Sequence, residues 1–188
     1  MRILHVSDIH GRASAVERLG RVIKSVDVIT VGGDFEDAGV LDALAAHGTP
    51  VYAVTGNMDP PDAAVKARNY LIEGSVISIG GFYLAGYPVD ASAVEGAGRR
   101  LILLAHYPPR GCRVDVTHGG EHIGSDAVRE LVERVRPLAA LVGHVHEAPG
   151  IDKLGSTVVV NPGPLSRGRY AVVEITGDGA VRVELGRV

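Results

Sequence analysis

The chain has 188 residues, 46% of them hydrophobic, enough for a sizeable core and fitting one expected domain over residues 1–188. A formal net charge of −3, with no basic run longer than Arg99-Arg100, argues against a phosphate-tracking surface for sequence-specific nucleic-acid binding. No stretch approaches the ~18 uninterrupted apolar residues of a membrane span, no signal-peptide pattern precedes Asp8, and the lone Cys112 excludes an internal disulfide, so a cytoplasmic protein is expected.

Residues 3–6 predict a first strand, and Val16, Leu19, Val22, Ile23 and Val26 recur at helical spacing over residues 13–26. A strand over 28–31, a helix over 40–46 and a strand over 51–54 follow. Pro60-Pro61 marks another helix start, since proline loses nothing in a first turn whose N–H groups are unpaired. Residues 76–79 and 82–86, joined by Gly80-Gly81, read as a β-hairpin. Residues 101–105 form an apolar strand. Ser125 is an N-cap for a helix carrying Val128, Leu131, Val132 and Val135 on one face and ending at Pro137. Strands over 138–142, 157–160, 170–175 and 181–185 complete about ten strands and four helices. The strand-rich tail reads as all antiparallel, a second sheet packed on the first. The expected class is α/β, with no internal repeat or linker.

Five strands run into polar residues able to bind a metal: Asp8-Ile9-His10, Gly33-Asp34, Gly56-Asn57, His106, and Gly143-His144-Val145-His146. In open α/β sheets ligands sit beyond the carboxyl ends of strands, so these side chains are expected to converge. The glycines before them are expected to let the backbone crowd a bound ion. Two Asp, four His and one Asn form a hard-to-borderline donor set without thiolate, suited to Mn²⁺, Fe²⁺, Zn²⁺ or Ni²⁺. Two such ions against two carboxylates leave a positive pocket for a phosphate ester. Each piece alone is a common turn; the set in this order is not.

The same residues resemble the calcineurin-like metallophosphoesterase superfamily, and the length and Asn161-Pro162-Gly163-Pro164 turn resemble its small single-domain branch. That branch holds bacterial and archaeal phosphodiesterases and the eukaryotic retromer subunit. The resemblance implies two β-sheets packed face to face with flanking helices, a four-layer αββα sandwich. It also implies two divalent ions, Mn²⁺ first among them: one on Asp8, His10 and His146, the other on Asn57, His106 and His144, with Asp34 bridging. Asp37 matches an outer aspartate of some branches, or is an exposed acidic turn with Glu36.

The expected reaction is hydrolysis of a small phosphoester, a diester in the first instance, by a hydroxide bridging the ions, with Asn57 on the phosphate oxygens. No side-chain nucleophile is needed. Many branches carry a histidine after the Gly-Asn pair that steadies the leaving group; here the position is Met58, though small phosphodiesterases often lack that histidine too. His118 and His122, in the glycine-rich loop 111–124, are the candidate proton sources, or else mobile surface residues. His5 and His47 are assigned to structure or solvent. The competing functions are a non-catalytic interaction scaffold, disfavoured because all seven ligands are present, and a nuclease, disfavoured by length and charge.

Overall fold

Strands with apolar residues at successive positions must be covered on both faces, and these are covered by helices on one side and by each other on the other. The computed structural model describes residues 1–188. In chain order it contains β1 Arg2–Val6, α1 Ala13–Glu17, α2 Gly20–Ile23, β2 Val28–Gly32, α3 Ala38–Ala45, β3 Val51–Val54, α4 Pro61–Ala67, β4 Val76–Ile79, β5 Phe82–Gly86 and α5 Ala91–Val94. After these come β6 Leu101–Leu104, α6 Asp126–Val135, β7 Ala139–Leu141, β8 Gly150–Leu154, β9 Thr157–Asn161, β10 Arg169–Ile175 and β11 Val181–Arg187.

The first sheet has the order β11-β10-β1-β2-β3 and the second β4-β5-β6-β7-β9-β8. Strands β1, β2 and β3 are mutually parallel, as are β5, β6, β7 and β9. The period-two alternation of strands assigns side chains to layers. Leu4 and Val6 of β1, with Ile29 and Val31 of β2, join Leu19, Leu41 and Leu44 under the helices on the first sheet. Ile3, Val28, Ile102, Leu104 and Val173 meet between the sheets. Leu101 and Leu103 face the other way, against Val128, Leu131 and Val132 of α6. These three cores separate four layers, the sandwich expected from the resemblance.

Three expectations for the elements are corrected. The helix over 13–26 is two short helices, because the Leu19 N–H bonds back only three residues to the Val16 carbonyl (2.9 Å) and Gly20 begins a new turn. The periodicity persisted because both pieces cover one sheet face. The tail is not a separate antiparallel sheet. Strands β10 and β11 extend the first sheet antiparallel to β1, whereas β9 runs parallel to β7 in the second. Finally, β8 was not expected: it is an edge strand with alternating half-exposed residues and only two aliphatic side chains, Ile151 and Leu154. The hairpin β4–β5 lies where the sequence placed it, and Ser125 caps α6 by accepting from the Val128 N–H at 3.2 Å.

The inter-sheet layer holds one fully buried histidine. His5 Nδ1 meets Thr30 Oγ1 at 3.0 Å and Nε2 meets the Val142 carbonyl at 2.9 Å, tying the two sheets together. Burial lowers its pKa from 6.5 to about 4. The folded state therefore holds fewer protons than the unfolded chain between these values, and His5 opposes folding progressively as pH falls through that window. Metal-free protein is expected to lose about 2–3 kcal/mol of unfolding free energy between pH 7 and pH 4.5 from this residue. Urea titrations at the two pH values, in wild type and His5→Gln, measure it; an equal loss in both would assign the acid sensitivity elsewhere.

Candidate metal centre

Five loops at the carboxyl ends of β1, β2, β3, β6 and β7 bring the seven residues together. The first two are laced in parallel: the Asp8 N–H donates to Gly33 O, His10 N–H to Asp34 O and Gly11 N–H to Phe35 O, each at 3.0 Å. Only six non-glycine residues have positive φ, and four are Asp8 (54°), His10 (50°), Asp34 (52°) and His144 (68°). Left-handed backbone is costly for residues with a Cβ and persists where the surroundings over-determine it. The fifth, Glu36 (58°), contacts one of the ligands, and the sixth, Arg136, ends α6.

The glycines make room for the ligand side chains. A Cβ on Gly56 would run into Asp34 Oδ1 itself, and one on Gly143 would collide with Ser7 Oγ and come within 2.8 Å of Asp8 Oδ2.

His146 Nε2 lies 3.1 Å from Asp8 Oδ1 and 3.2 Å from His10 Nε2. His10 Nδ1 donates to Glu36 Oε1 at 2.7 Å, so in the neutral ring Nε2 presents its lone pair inward. On the other side His106 Nδ1 donates to the Gly32 carbonyl at 2.7 Å. Its Nε2 lone pair faces Asn57 Oδ1 at 3.0 Å and Asp34 Oδ2 at 3.5 Å. The His144 ring packs edge-on against His106, centroids 5.0 Å apart, while its backbone N–H donates to Asp8 Oδ2 at 3.1 Å. Where a lone pair faces a carboxylate oxygen, as His106 Nε2 faces Asp34 Oδ2, the two repel unless a proton or a cation stands between them. Metal-binding histidines also ordinarily give their other N–H to a carboxylate or carbonyl, as His10 and His106 do. The donor set thus fits divalent ions on geometry, in two groups: Asp8, His10 and His146; and Asp8, Asp34 and His106, donor atoms within 4.8 Å in each.

The electrostatics agree. Burial opposes ionisation of Asp8, yet the His146 hydrogen bond and the His106 charge hold its carboxyl below the usual range. The Asp8 hydrogen bond raises the His146 pKa, and burial followed by the neighbouring His106 charge lowers that of His144. A proton on His146 must leave before a cation binds, so metal affinity is expected to fall as pH drops through the imidazole range. Reconstituted protein is expected to hold two divalent ions per chain at neutral pH and to release them on acidification. Elemental analysis finding one ion or none on folded protein would overturn the seven-ligand assignment.

Supporting residues were only partly legible. Glu36, not Asp37, orients His10; Asp37 is exposed and caps α3 by accepting from the Gly39 N–H at 2.9 Å. Asp59 accepts three backbone N–H groups, from Asp34 (2.9 Å), Glu36 (2.6 Å) and Gly56 (2.7 Å), clamping the β2 and β3 loops, and burial raises its pKa. Its place two residues after Asn57 was the available signal. The Asn161 amide donates to Val145 O (2.9 Å), Ala148 O (3.2 Å) and Val114 O (3.3 Å), holding the loop between His144 and His146. His118 is exposed and His122 is tied to Asp115, both outside the network joining the seven residues. His47 is also exposed.

Two facing sheets with polar ligands gathered at their carboxyl edges define a metallophosphoesterase-type α/β sandwich. Residues 1–178 match the calcineurin-like phosphoesterase superfamily domain, and the chain belongs to that superfamily. An uncharacterized protein of Methanocaldococcus jannaschii is 27% identical, over 88% of this chain and 89% of its own. A structure described as a novel archaeal phosphodiesterase superimposes with a TM-score of 0.66 at 14% identity, covering 98% of this chain and 99% of the other. Wild-type Vps29 of Entamoeba histolytica, complexed with Zn²⁺, gives 0.59 at 16% identity, covering 100% and 99%. At these identities the two structures speak for the fold alone.

Proposed function

We propose that the chain is a phosphodiesterase that hydrolyses small phosphate esters or nucleotides with two divalent ions, Mn²⁺ first among the candidates. The observation that carries this reading is the convergence of His10, His146 and His106 ring nitrogens with the Asp8 and Asp34 carboxylates. When bound there, such ions supply Lewis-acid polarisation of phosphoryl oxygens and make water a stronger acid.

The chain's own residues do the rest. Asp8, His10 and His146 would hold one ion, and His106, His144 and Asn57 the other, with Asp34 between them. Glu36 and the Gly32 carbonyl fix the His10 and His106 rings, so the donors need no rearrangement. Asn57 is exposed beside His106, where its carboxamide N–H would be free to donate to a non-bridging phosphate oxygen. Met58 contributes only backbone, donating its N–H to Asp34 Oδ1 at 2.8 Å, while its side chain is 56% exposed and has no proton to give.

A metal-reconstituted screen across phosphomonoesters, phosphodiesters and cyclic nucleotides tests the reading, with turnover expected on diesters and lost on chelation. The fold shared with Vps29 also fits a second reading, an interaction scaffold. Two bound ions without turnover on any ester would favour it.

A further inference from the structure

The loop between β6 and α6 leaves the sheet at His106 and builds a pocket of its own. Asp115 is its keystone, 0% exposed. Its Oδ2 accepts the Gly111 N–H (2.9 Å) and Gly124 N–H (3.2 Å), which closes the loop. Oδ1 is left for one partner, His122 Nδ1 at 2.6 Å. The His122 side chain is 43% exposed, so the imidazole held by this buried carboxylate faces solvent. A buried carboxylate spent on orienting a solvent-facing imidazole leaves Nε2 aimed with little rotamer freedom.

His122 lines a pocket of about 530 Å³ with Arg110, Gly111, Glu121 and Ile123. None of the seven metal-site residues lines it, but the backbone ties it to them. Ser125 N–H donates to Pro108 O at 2.8 Å and Arg110 N–H to Ser125 O at 3.1 Å, so the returning chain lies against the residues that follow His106. Asn161 links Val114, beside Asp115, to Val145, between His144 and His146. Arg110 is four residues from His106, at most about 14 Å along extended backbone. A subsite there would be occupied only by a substituent that extends well beyond the phosphate, as a sugar does.

We propose that this pocket is a second substrate subsite, in which His122, positioned by Asp115, together with Arg110 and Glu121 binds a hydroxyl-bearing substituent of the phosphodiester. An imidazole, a guanidinium and a carboxylate offer the mixed donors and acceptors that a sugar hydroxyl needs, with one aliphatic wall from Ile123. The proposal rests on the phosphoesterase reading and adds to it the class of diester.

The test compares two 4-nitrophenyl diesters with one leaving group: thymidine 5′-(4-nitrophenyl phosphate) and methyl 4-nitrophenyl phosphate. Metal-loaded wild type is expected to prefer the nucleoside ester. His122→Ala is expected to cut kcat/KM on it about tenfold, through KM, and leave the methyl ester within about twofold. The substitution leaves Asp115 Oδ1 without its imidazole partner, so Tm is expected to fall by a few degrees, and the methyl ester controls for that loss. Equal losses on both esters, or none on either, would overturn the subsite. If neither ester turns over with two ions bound, the hydrolase reading fails separately. Calorimetric binding of thymidine 5′-monophosphate then decides the pocket: about tenfold weaker binding by His122→Ala supports it, and an unchanged Kd overturns it.

Discussion

Asp34→Asn is expected to abolish activity, by at least about 10³-fold in kcat/KM, and to lower metal content, while leaving the metal-free fold intact. The reason is local. Asp34 is 3% exposed, its Oδ1 accepts the Met58 N–H at 2.8 Å and its Oδ2 faces His106 Nε2 at 3.5 Å. Asparagine keeps the shape and the Met58 hydrogen bond but removes the negative charge that would sit between two dications. Without ions that charge is a liability. The Asp8 and Asp34 donor oxygens lie within 4.8 Å, a repulsion of about 3 kcal/mol at an effective dielectric constant near 20. The variant's metal-free Tm should therefore equal or exceed that of wild type. His144→Ala removes one neutral donor from one ion and is expected to cost only about 10–100-fold. Activity and elemental analysis of both variants check this, and comparable residual activity would remove Asp34 from the bridging role.

The second large effect is a dependence of rate on leaving-group acidity. With an exposed methionine at position 58, a departing alkoxide receives no proton from that side chain. Esters of acidic alcohols such as nitrophenol should then react far faster than alkyl esters. Met58→His is expected to flatten that dependence and raise the rate on poor leaving groups; general acid assistance reaches about 10²–10⁴-fold where the donor is well supported. The substitution keeps the backbone N–H that Asp34 uses, so the metal site should survive it. The rate on a nitrophenyl ester should barely change. If wild type shows no leaving-group dependence when chemistry is rate-limiting, the chain has another proton donor, and His122 and then His118 are the residues to replace.

The αββα arrangement followed from the resemblance, with which the strand count agreed, whereas the boundaries that failed did so where two physical signals conflict. Over residues 13–26 the helical spacing of Val16, Leu19 and Ile23 reflects burial against a sheet, and two short helices satisfy it as well as one long one. Strand β8 escaped notice because an edge strand need bury little, and Asp152 and Lys153 occupy its middle.

The sequence by itself determined which seven side chains stand at strand ends and what donor chemistry they share, because ligand type and position after a strand are local properties. It also determined the departure at Met58. Only the tertiary structure decided which carboxylate orients His10, that Asp59 clamps two loops, that Asn161 ties β9 to the His144–His146 turn, and that β10 and β11 join the first sheet. The Glu36–His10, Asp59–Asp34 and Asn161–Val145 contacts join residues 26, 25 and 16 positions apart, and the last two use backbone N–H or C=O groups that every residue carries. A sequence marks which side chains can bind a metal; which backbone groups meet them depends on how the strands are stacked.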